Sequence, residues 1–313
     1  MHPDDVHPEA VHCDGPVKFR CADASETRAE SMSATASTVR SFLLVEHSGP
    51  WGVDALRDAR MPVGIGPELR ERAAVTGTKV LLIRRPSKAA RTHAGVRVFA
   101  AYAHHCEPWL ETTVLDDLAG VHDLDLEALA AGRSAGLTPH REPVLAVCTH
   151  GRHDRCCAER GRPVAAGLAA AFPDETWEAS HIGGDRFAGN LLVLPHGLYF
   201  GRLQPDTARG VARLLAAGEV DLDHLRGRSG LATPLQAAEA ALRRHVDERR
   251  VNGVRFVSRE VREGRTDAVF DVSGRRYAVT VSSSRGADLQ KLTCDALREN
   301  PVMHHEVLEI RPL

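Results

Sequence analysis

The sequence predicts an α/β fold in which a mixed sheet carries helices on its faces. Two observations lead there. Short apolar runs of strand length alternate with amphipathic segments of helical period. Across residues 144–217 the order is strand, helix, three strands, helix, which builds a mixed sheet with flanking helices.

At 313 residues the chain exceeds one compact core and divides into several units. Apolar residues make up 43% and charged residues 26%, and 40 basic residues face 42 acidic ones. That balance offers no general attraction to nucleic acid or to an anionic membrane, so neither is an expected partner. No leader-type apolar run opens the sequence and no run reaches membrane-spanning length, so a cytoplasmic location is expected. The cysteines at 13, 21, 106, 148, 156, 157 and 294 are irregularly spaced and include no Cys-x-x-Cys pair. This excludes a dithiol active site and the common zinc-knuckle spacing. In a reducing compartment it leaves metal binding, redox chemistry or burial.

Taken in order, residues 1–38 are polar and irregular and read as a flexible N-terminal arm. An N-terminal α/β unit follows over 39–140, with strands at 42–45, 79–83 and 96–101 and helices at 67–74 and 122–131. Residues 132–143, with Gly136 and Pro139, form the interior boundary. The next unit spans 141–228. Its strand at 144–147 is unbroken apolar sequence, as in a strand covered on both faces. A helix over 157–171 follows, then strands at 176–180, 191–194 and 198–201 and a closing helix at 205–217. Residues 181–190 are left as a glycine-containing loop. The first unit shows the same strand–helix–strand–strand order and reads as a decayed copy, without a residue-level repeat. A C-terminal α+β unit over 229–313 holds a helix at 234–250, strands at 254–257, 268–272, 277–281 and 307–310, and a helix at 288–298.

Chemistry concentrates in residues 148–157 and 180–190. Cys148 ends a strand and Cys157 begins the following helix, so both sulfurs fall at one edge of the sheet. His181 ends the next strand, at the same edge if the two strands run parallel, with Asp185 in the loop beyond. The helix start offers free N–H groups and a positive dipole end, which favour a thiolate at Cys157. Asp154 is placed to cap that helix. Adjacent cysteines diverge, so one of Cys156 and Cys157 is a ligand and the other packs. Helical position leaves both open.

Together with Cys21-Ala-Asp-Ala-Ser25, residues 43–52, Leu82-Ile-Arg-Arg-Pro86 and Gly201-Arg-Leu203, these stretches give a chain that resembles the sucrase/ferredoxin-like proteins. The resemblance implies that residues 141–228 form a thioredoxin-like ferredoxin domain, with one helix reduced to the 183–190 loop. It implies a [2Fe–2S] cluster and one-electron transfer, with cysteine ligands at Cys148 and Cys157 and a later ligand at His181. Family members place a second histidine four residues on, where this chain has Asp185. Three arrangements follow: Asp185 ligates iron, or Cys156, His150 or His153 takes the position, or the site holds no cluster. A carboxylate in place of a neutral imidazole takes the oxidised cluster from roughly 0 to roughly −1 and lowers its potential. Arg152, Arg155 and Arg186 offset that charge if they turn inward.

The remaining cysteines are expected in ordinary packing, Cys106 and Cys294 above all. Cys13 and Cys21, with His12, could take up metal only adventitiously. The run Arg152, Arg155, Arg160 and Arg162 reads as a solvated face or as a dock for an acidic electron-transfer partner. Gly183-Gly184 has no Walker-type lysine after it, which argues against nucleotide binding. The expectation is an electron carrier working with a redox partner protein, not an enzyme. No carboxylate pair can be placed across a sugar, so sucrose hydrolysis is not expected. Zinc bound by Cys148, Cys157 and His181 is the first alternative. A metal-free thioredoxin-like interaction module is the second.

Overall fold

A computed structural model describes residues 18–87 and 94–313. His12 and Cys13 lie outside the described residues. Residues 18–38, expected to be loosely held, pack onto the body. Helix α1 (Cys21–Thr27) buries Cys21, Ala22 and Ser25. Its flanks are fixed by charge: Arg20 donates to Glu159 at 2.7 Å, Arg186 to Glu30 at 2.8 Å, and Arg160 pairs with Asp23 and Glu26. The polar composition that reads as a free arm is a set of ion-pair partners.

The N-terminal α/β unit begins with β1 (Ser41–Glu46), buried along its whole length. A short helix α2 (Ala55–Asp58) and α3 (Ile65–Thr76) lead to β2 (Lys79–Arg84), parallel to β1. β3 (Val96–Tyr102) pairs antiparallel with β1, and β4 (Trp109–Leu115) pairs with β3. A 3-10 turn at Leu118–Asp123, the short helix α4 (Leu126–Ala130) and β5 (Thr138–Pro139) complete the unit. The next unit repeats the plan. β6 (Val144–Cys148), α5 (Arg155–Ala169) and β7 (Thr176–Ala179) form a parallel crossover, and β8 (Leu191–Leu194) pairs antiparallel with β6. β9 (Leu198–Phe200), α6 (Pro205–Ala216) and β10 (Leu225–Arg228) follow.

All ten strands form one sheet in the order β10-β9-β8-β6-β7-β2-β1-β3-β4-β5. The segments β7-β6-β8-β9 and β2-β1-β3-β4 therefore share strand order and direction. They join through the antiparallel seam β2–β7, where Ile83 faces Ala179 and Arg84 faces Glu178. One face carries a core common to both halves, including Phe42, Leu44, Phe99, Ala146 and Trp177. Phe99 on β3 and Trp177 on β7 meet edge to face at 5.6 Å. Three strand spacings would separate them by about 14 Å in a flat sheet, so the sheet curls over this core. Helices α3 and α4 cover the opposite face of the first half, and α5 and α6 that of the second.

Helix α7 (Thr233–Val246) packs on a second, four-stranded antiparallel sheet of β11 (Val254–Arg262), β12 (Arg265–Val272), β13 (Arg275–Gln290) and β14 (Asn300–Pro312). Among the described residues no helix is long and apolar enough to cross a membrane.

Three of the differences from the sequence expectation have a clear physical reason. β4 was not expected because a buried carboxylate, Glu111, interrupts its apolar pattern; it accepts from Ser134 Oγ and from the backbone of Ala135 and Leu137. β10 was not expected because its four residues include Arg226 and Arg228, both buried. The helix expected at 288–298 is absent: β13 runs to Gln290, the β13–β14 ladder ends with Gln290 opposite Asn300, and residues 291–299 form an irregular tip. Pairing with β14 overrides the helical period there, and Leu297 is left fully exposed.

Candidate metal centre

Because β6 and β7 are parallel, with Cys148 opposite Ala179, the residues after both strands leave the sheet at the same edge. Asp154 caps α5 by accepting from the backbone N–H of Cys156 at 2.9 Å. That cap sets the first helical turn and turns the Cys157 side chain onto the sheet. The helix crosses the strand end closely at Gly161, where a Cβ would stand 2.0 Å from the Cys148 carbonyl oxygen. After β7, Ser180 is pinned across the seam, its N–H donating to Leu82 O at 2.8 Å and its Oγ accepting from Leu82 N at 3.0 Å. His181 follows directly. Gly183 and Gly184, at φ of 108° and 82°, turn the chain so that Asp185 points back.

Ligand atoms of Cys148, Cys157 and His181 lie within 4.8 Å of one another, as do those of His153, His181 and Asp185. The Cys157 thiol donates to Asp185 Oδ1 at 3.0 Å. His181 Nδ1 stands 2.9 Å from the same oxygen. The contact is off-line for a hydrogen bond, and Nδ1 is a buried nitrogen without a hydrogen-bond partner. His153 stacks on His181 with centroids 3.8 Å apart, and its Nε2 is 3.8 Å from Asp185 Oδ2. Two thiols, two imidazoles and a carboxylate thus share one small volume.

The hydrogen bond from Cys157, helped by His181 and opposed by burial, holds the Cys148 thiol well below the usual thiol range. The same bond and burial push Cys157 well above it. Burial depresses His181, but the adjoining Asp185 carboxylate and Cys148 sulfur outweigh it and push the imidazole up to about 9. Asp185 is likewise raised by burial and lowered overall by His181. Without metal, these interactions favour a thiolate at Cys148, a carboxylate at Asp185 and a protonated His181, and leave the proton of Cys157 in place. A metal ion would replace those protons with positive charge.

The sequence-named alternates separate cleanly. The Cys156 thiol turns away from this set and lies 3.4 Å from Cys294 Sγ. Both ring nitrogens of His150 are engaged, Nε2 with Gly52 O at 2.8 Å and Nδ1 with the His181 N–H at 3.2 Å. His153 and Asp185 are the ones beside His181.

A family model, sucrase/ferredoxin-like, matches residues 32–227. The chain belongs to the sucrase/ferredoxin-like family. No curated protein and no solved structure matches it. In this sucrase/ferredoxin-like chain the matched span takes in both repeated halves of the large sheet and stops at β10. The buried Cys, His and Asp side chains within it are compatible with metal binding.

Within that span the compensating charge differs from the sequence expectation. Arg155 pairs with Asp295 at 2.9 Å and Arg186 with Glu30, both away from the centre, and Arg152 is exposed. The cations near Cys148 and Asp185 are instead Lys79, at the start of β2, and Arg226, on β10. Burial lowers both, Lys79 to about 8 and Arg226 to about 10. Lys79 Nζ donates to Ile182 O at 2.9 Å, and Arg226 Nη1 to Gly183 O and Asn190 Oδ1, both at 2.9 Å, so they also clamp the ligand loop. In the sequence Lys79 merely opens the apolar run that ends at Ile83, and Arg226 stands in a stretch without an apolar run, so neither signalled this role.

The two sides of the centre are unlike. Cys148 and Cys157 are buried, whereas His181 and His153 expose 28% and 33% of their side chains. Their edges line an open cleft of about 420 Å³ whose wall includes Val53, Ala55 and Leu56.

Proposed function

We propose that this protein is an electron carrier whose centre is a [2Fe–2S] cluster in a thioredoxin-like ferredoxin domain. The observation that carries the reading is the meeting of Cys148, Cys157 and His181 at one sheet edge, with Asp185 against both His181 and Cys157. The donor set fits an iron–sulfur group: thiolate and imidazole are its ordinary protein ligands. The buried Nδ1 of His181, which makes an ion-pair contact with Asp185 but no aligned hydrogen bond, is a nitrogen of the kind that iron would engage. The strand order β7-β6-β8-β9, with α5 and α6 on one face, agrees with the thioredoxin-like layout.

Cys148 and Cys157 would hold one iron, and His181 with Asp185 the other. The cluster, when bound, supplies one-electron redox chemistry. The chain supplies the rest. Cys148 and Cys157 lie on the dry side under α5, where water cannot reach sulfur. Arg226 and Lys79 offset the negative charge, and His181 and His153 open the other side to the cleft. A redox partner protein docking over that cleft would meet the imidazole edges, the shortest path to the centre.

Zinc is the second reading, favoured by the short mutual distances of the three donor atoms, which suit a single tetrahedral ion. Anaerobic purification followed by visible spectroscopy and by iron, sulfide and zinc analysis separates the two. A brown protein with about two irons and two sulfides bound through this centre, lost in Cys148→Ser and in Cys157→Ser, is the expected result. A colourless chain whose only metal at these residues is zinc overturns it. A chain that takes up neither after cluster reconstitution would be a metal-free interaction module.

A further inference from the structure

A second group of ligand atoms lies on the far side of the α5 N-terminus and belongs to no part of the centre described above. Cys21 from α1, Asp154 and Cys156 from the start of α5, and Cys294 from the β13–β14 tip place one ligand atom each within 4.8 Å of the others. All four residues are buried. Cys294 Sγ is 3.4 Å from Cys156 Sγ, 3.7 Å from Cys21 Sγ and 3.1 Å from Asp154 Oδ1. Cys21 Sγ is 3.6 Å from both Asp154 oxygens. A tetrahedral ion with metal–sulfur bonds of about 2.3 Å sets its sulfurs about 3.8 Å apart. The observed spacings are close to that edge length.

Two further observations point to a cation. The Asp154 carboxylate is fixed by backbone donors, Cys156 N at 2.9 Å and Cys294 N at 2.6 Å, yet among the described residues no cationic side chain pairs with it. Those two N–H groups and the α5 dipole compensate the carboxylate in part, and a positive ion among the three thiols would complete the compensation. The second observation concerns the tip. From Ser282 to Leu313, Cys294 is the only buried residue. The irregular tip at 291–299 is docked on the body through Cys294, whose N–H and thiol both meet Asp154, through an exposed Arg155–Asp295 pair and through Lys291 over the Phe19 ring. One thiol and one N–H bonded to a single carboxylate hold nine residues loosely, and a metal–thiolate bond would hold them firmly.

We propose that Cys21, Cys156 and Cys294, with Asp154, bind one zinc ion that fastens α1 and the tip of the C-terminal hairpin to the N-terminus of α5. Binding releases the thiol protons to solvent, and zinc changes no oxidation state. Cys156 and Cys157 then divide between two centres, one on each side of the same helix turn. The ion is structural: it joins segments separated by as many as 273 positions in sequence, and its loss frees the tip.

The test uses the full chain carrying Cys148→Ser and Cys157→Ser, which removes the first centre and makes the result independent of the iron–sulfur reading. Loaded with zinc and desalted, this protein should retain about one zinc per chain, and adding Cys294→Ser should abolish retention. Cobalt in place of zinc should give a visible spectrum with strong thiolate-to-cobalt absorption, a readout that needs no variant at Cys294. Trypsin cleavage at the exposed Arg298 should slow by roughly tenfold or more on zinc loading. No retained zinc and no cobalt–thiolate band would overturn the proposal. So would zinc binding that Cys294→Ser and Cys21→Ser leave undiminished, or a Cys156–Cys294 disulfide in the chain as purified.

Discussion

In the proposed iron–sulfur centre, Asp185 is the residue that sets the charge. A carboxylate at the fourth position adds one negative charge to whatever the site holds, against which stand the half-buried Lys79 and the buried Arg226. Asp185→His should raise the reduction potential of the bound cluster, because a neutral imidazole brings less negative charge to iron than a carboxylate does. Redox titration of the two proteins checks this, and an unchanged potential would place Asp185 outside the ligand set. A second residue gives a pH signature unrelated to metal. Burial, with Arg228 nearby, depresses His196 to about 4 from an ordinary value near 6.5. The unfolded chain therefore takes up a proton that the folded chain refuses, so stability falls as pH drops from about 6.5 to about 4 and is unaffected above that window. The loss is up to about 3 kcal/mol. His196→Phe should flatten that part of the profile in denaturant titrations at stepped pH, and a parallel slope in both proteins would contradict it.

At the scale of elements, the crossing of α5 over the end of β6 determines whether Cys148 and Cys157 meet. Gly161 permits the approach, and its absent Cβ is replaced by the Cys148 carbonyl. Gly161→Ala should push the helix off the strand, destabilise the protein by about 1–3 kcal/mol and lower metal occupancy of the first centre by a larger factor than stability alone accounts for. Metal analysis beside a chemical denaturation curve separates the two effects. The strand ends and the helix start were readable in the sequence because Val144–Cys148 is unbroken apolar sequence and Asp154 is a helix-capping residue. The edge shared by Cys148, Cys157 and His181 follows from them once β6 and β7 run parallel. The closeness of the helix to the strand was not readable, since a glycine in a helix has many uses.

At the scale of the whole molecule, two features bind the parts into one. The seam β2–β7 joins the repeated halves, reinforced by Arg84 donating to Glu178 at 2.6 Å and by the packing of Trp177 against Phe99. Trp177→Ala opens a cavity in the core common to both halves and should cost about 3–5 kcal/mol. Both halves should lose structure in the same transition, monitored by denaturation with probes in each. The second feature is a buried network in which Glu239 of α7 accepts from Arg243 at 2.9 Å and from Arg228 of β10 at 3.4 Å. Glu239→Ala leaves two guanidiniums buried without their carboxylate and should cost about 3–5 kcal/mol. A smaller loss than about 1 kcal/mol, measured by denaturant titration, would mean that the carbonyls around Arg228 and Arg243 suffice.

The sequence by itself determined the α/β class, most of the strands of the large sheet, and the candidate ligands Cys148, Cys157 and His181. Each of these is local information: an apolar run, a cap, a residue that ends an element. The tertiary structure decided what depends on distant segments meeting. It joined the two halves in one sheet, gave Cys156 a different neighbourhood from Cys157, and brought Cys21 and Cys294 together although each looks like an ordinary buried cysteine in its own stretch. It also turned Arg226, Arg228 and Glu111, which break local apolar patterns, into buried partners. Side-chain periodicity reports which face an element buries, but not which other element supplies the neighbour. That is why charged strand residues and long-range cysteine contacts escape a reading along the chain.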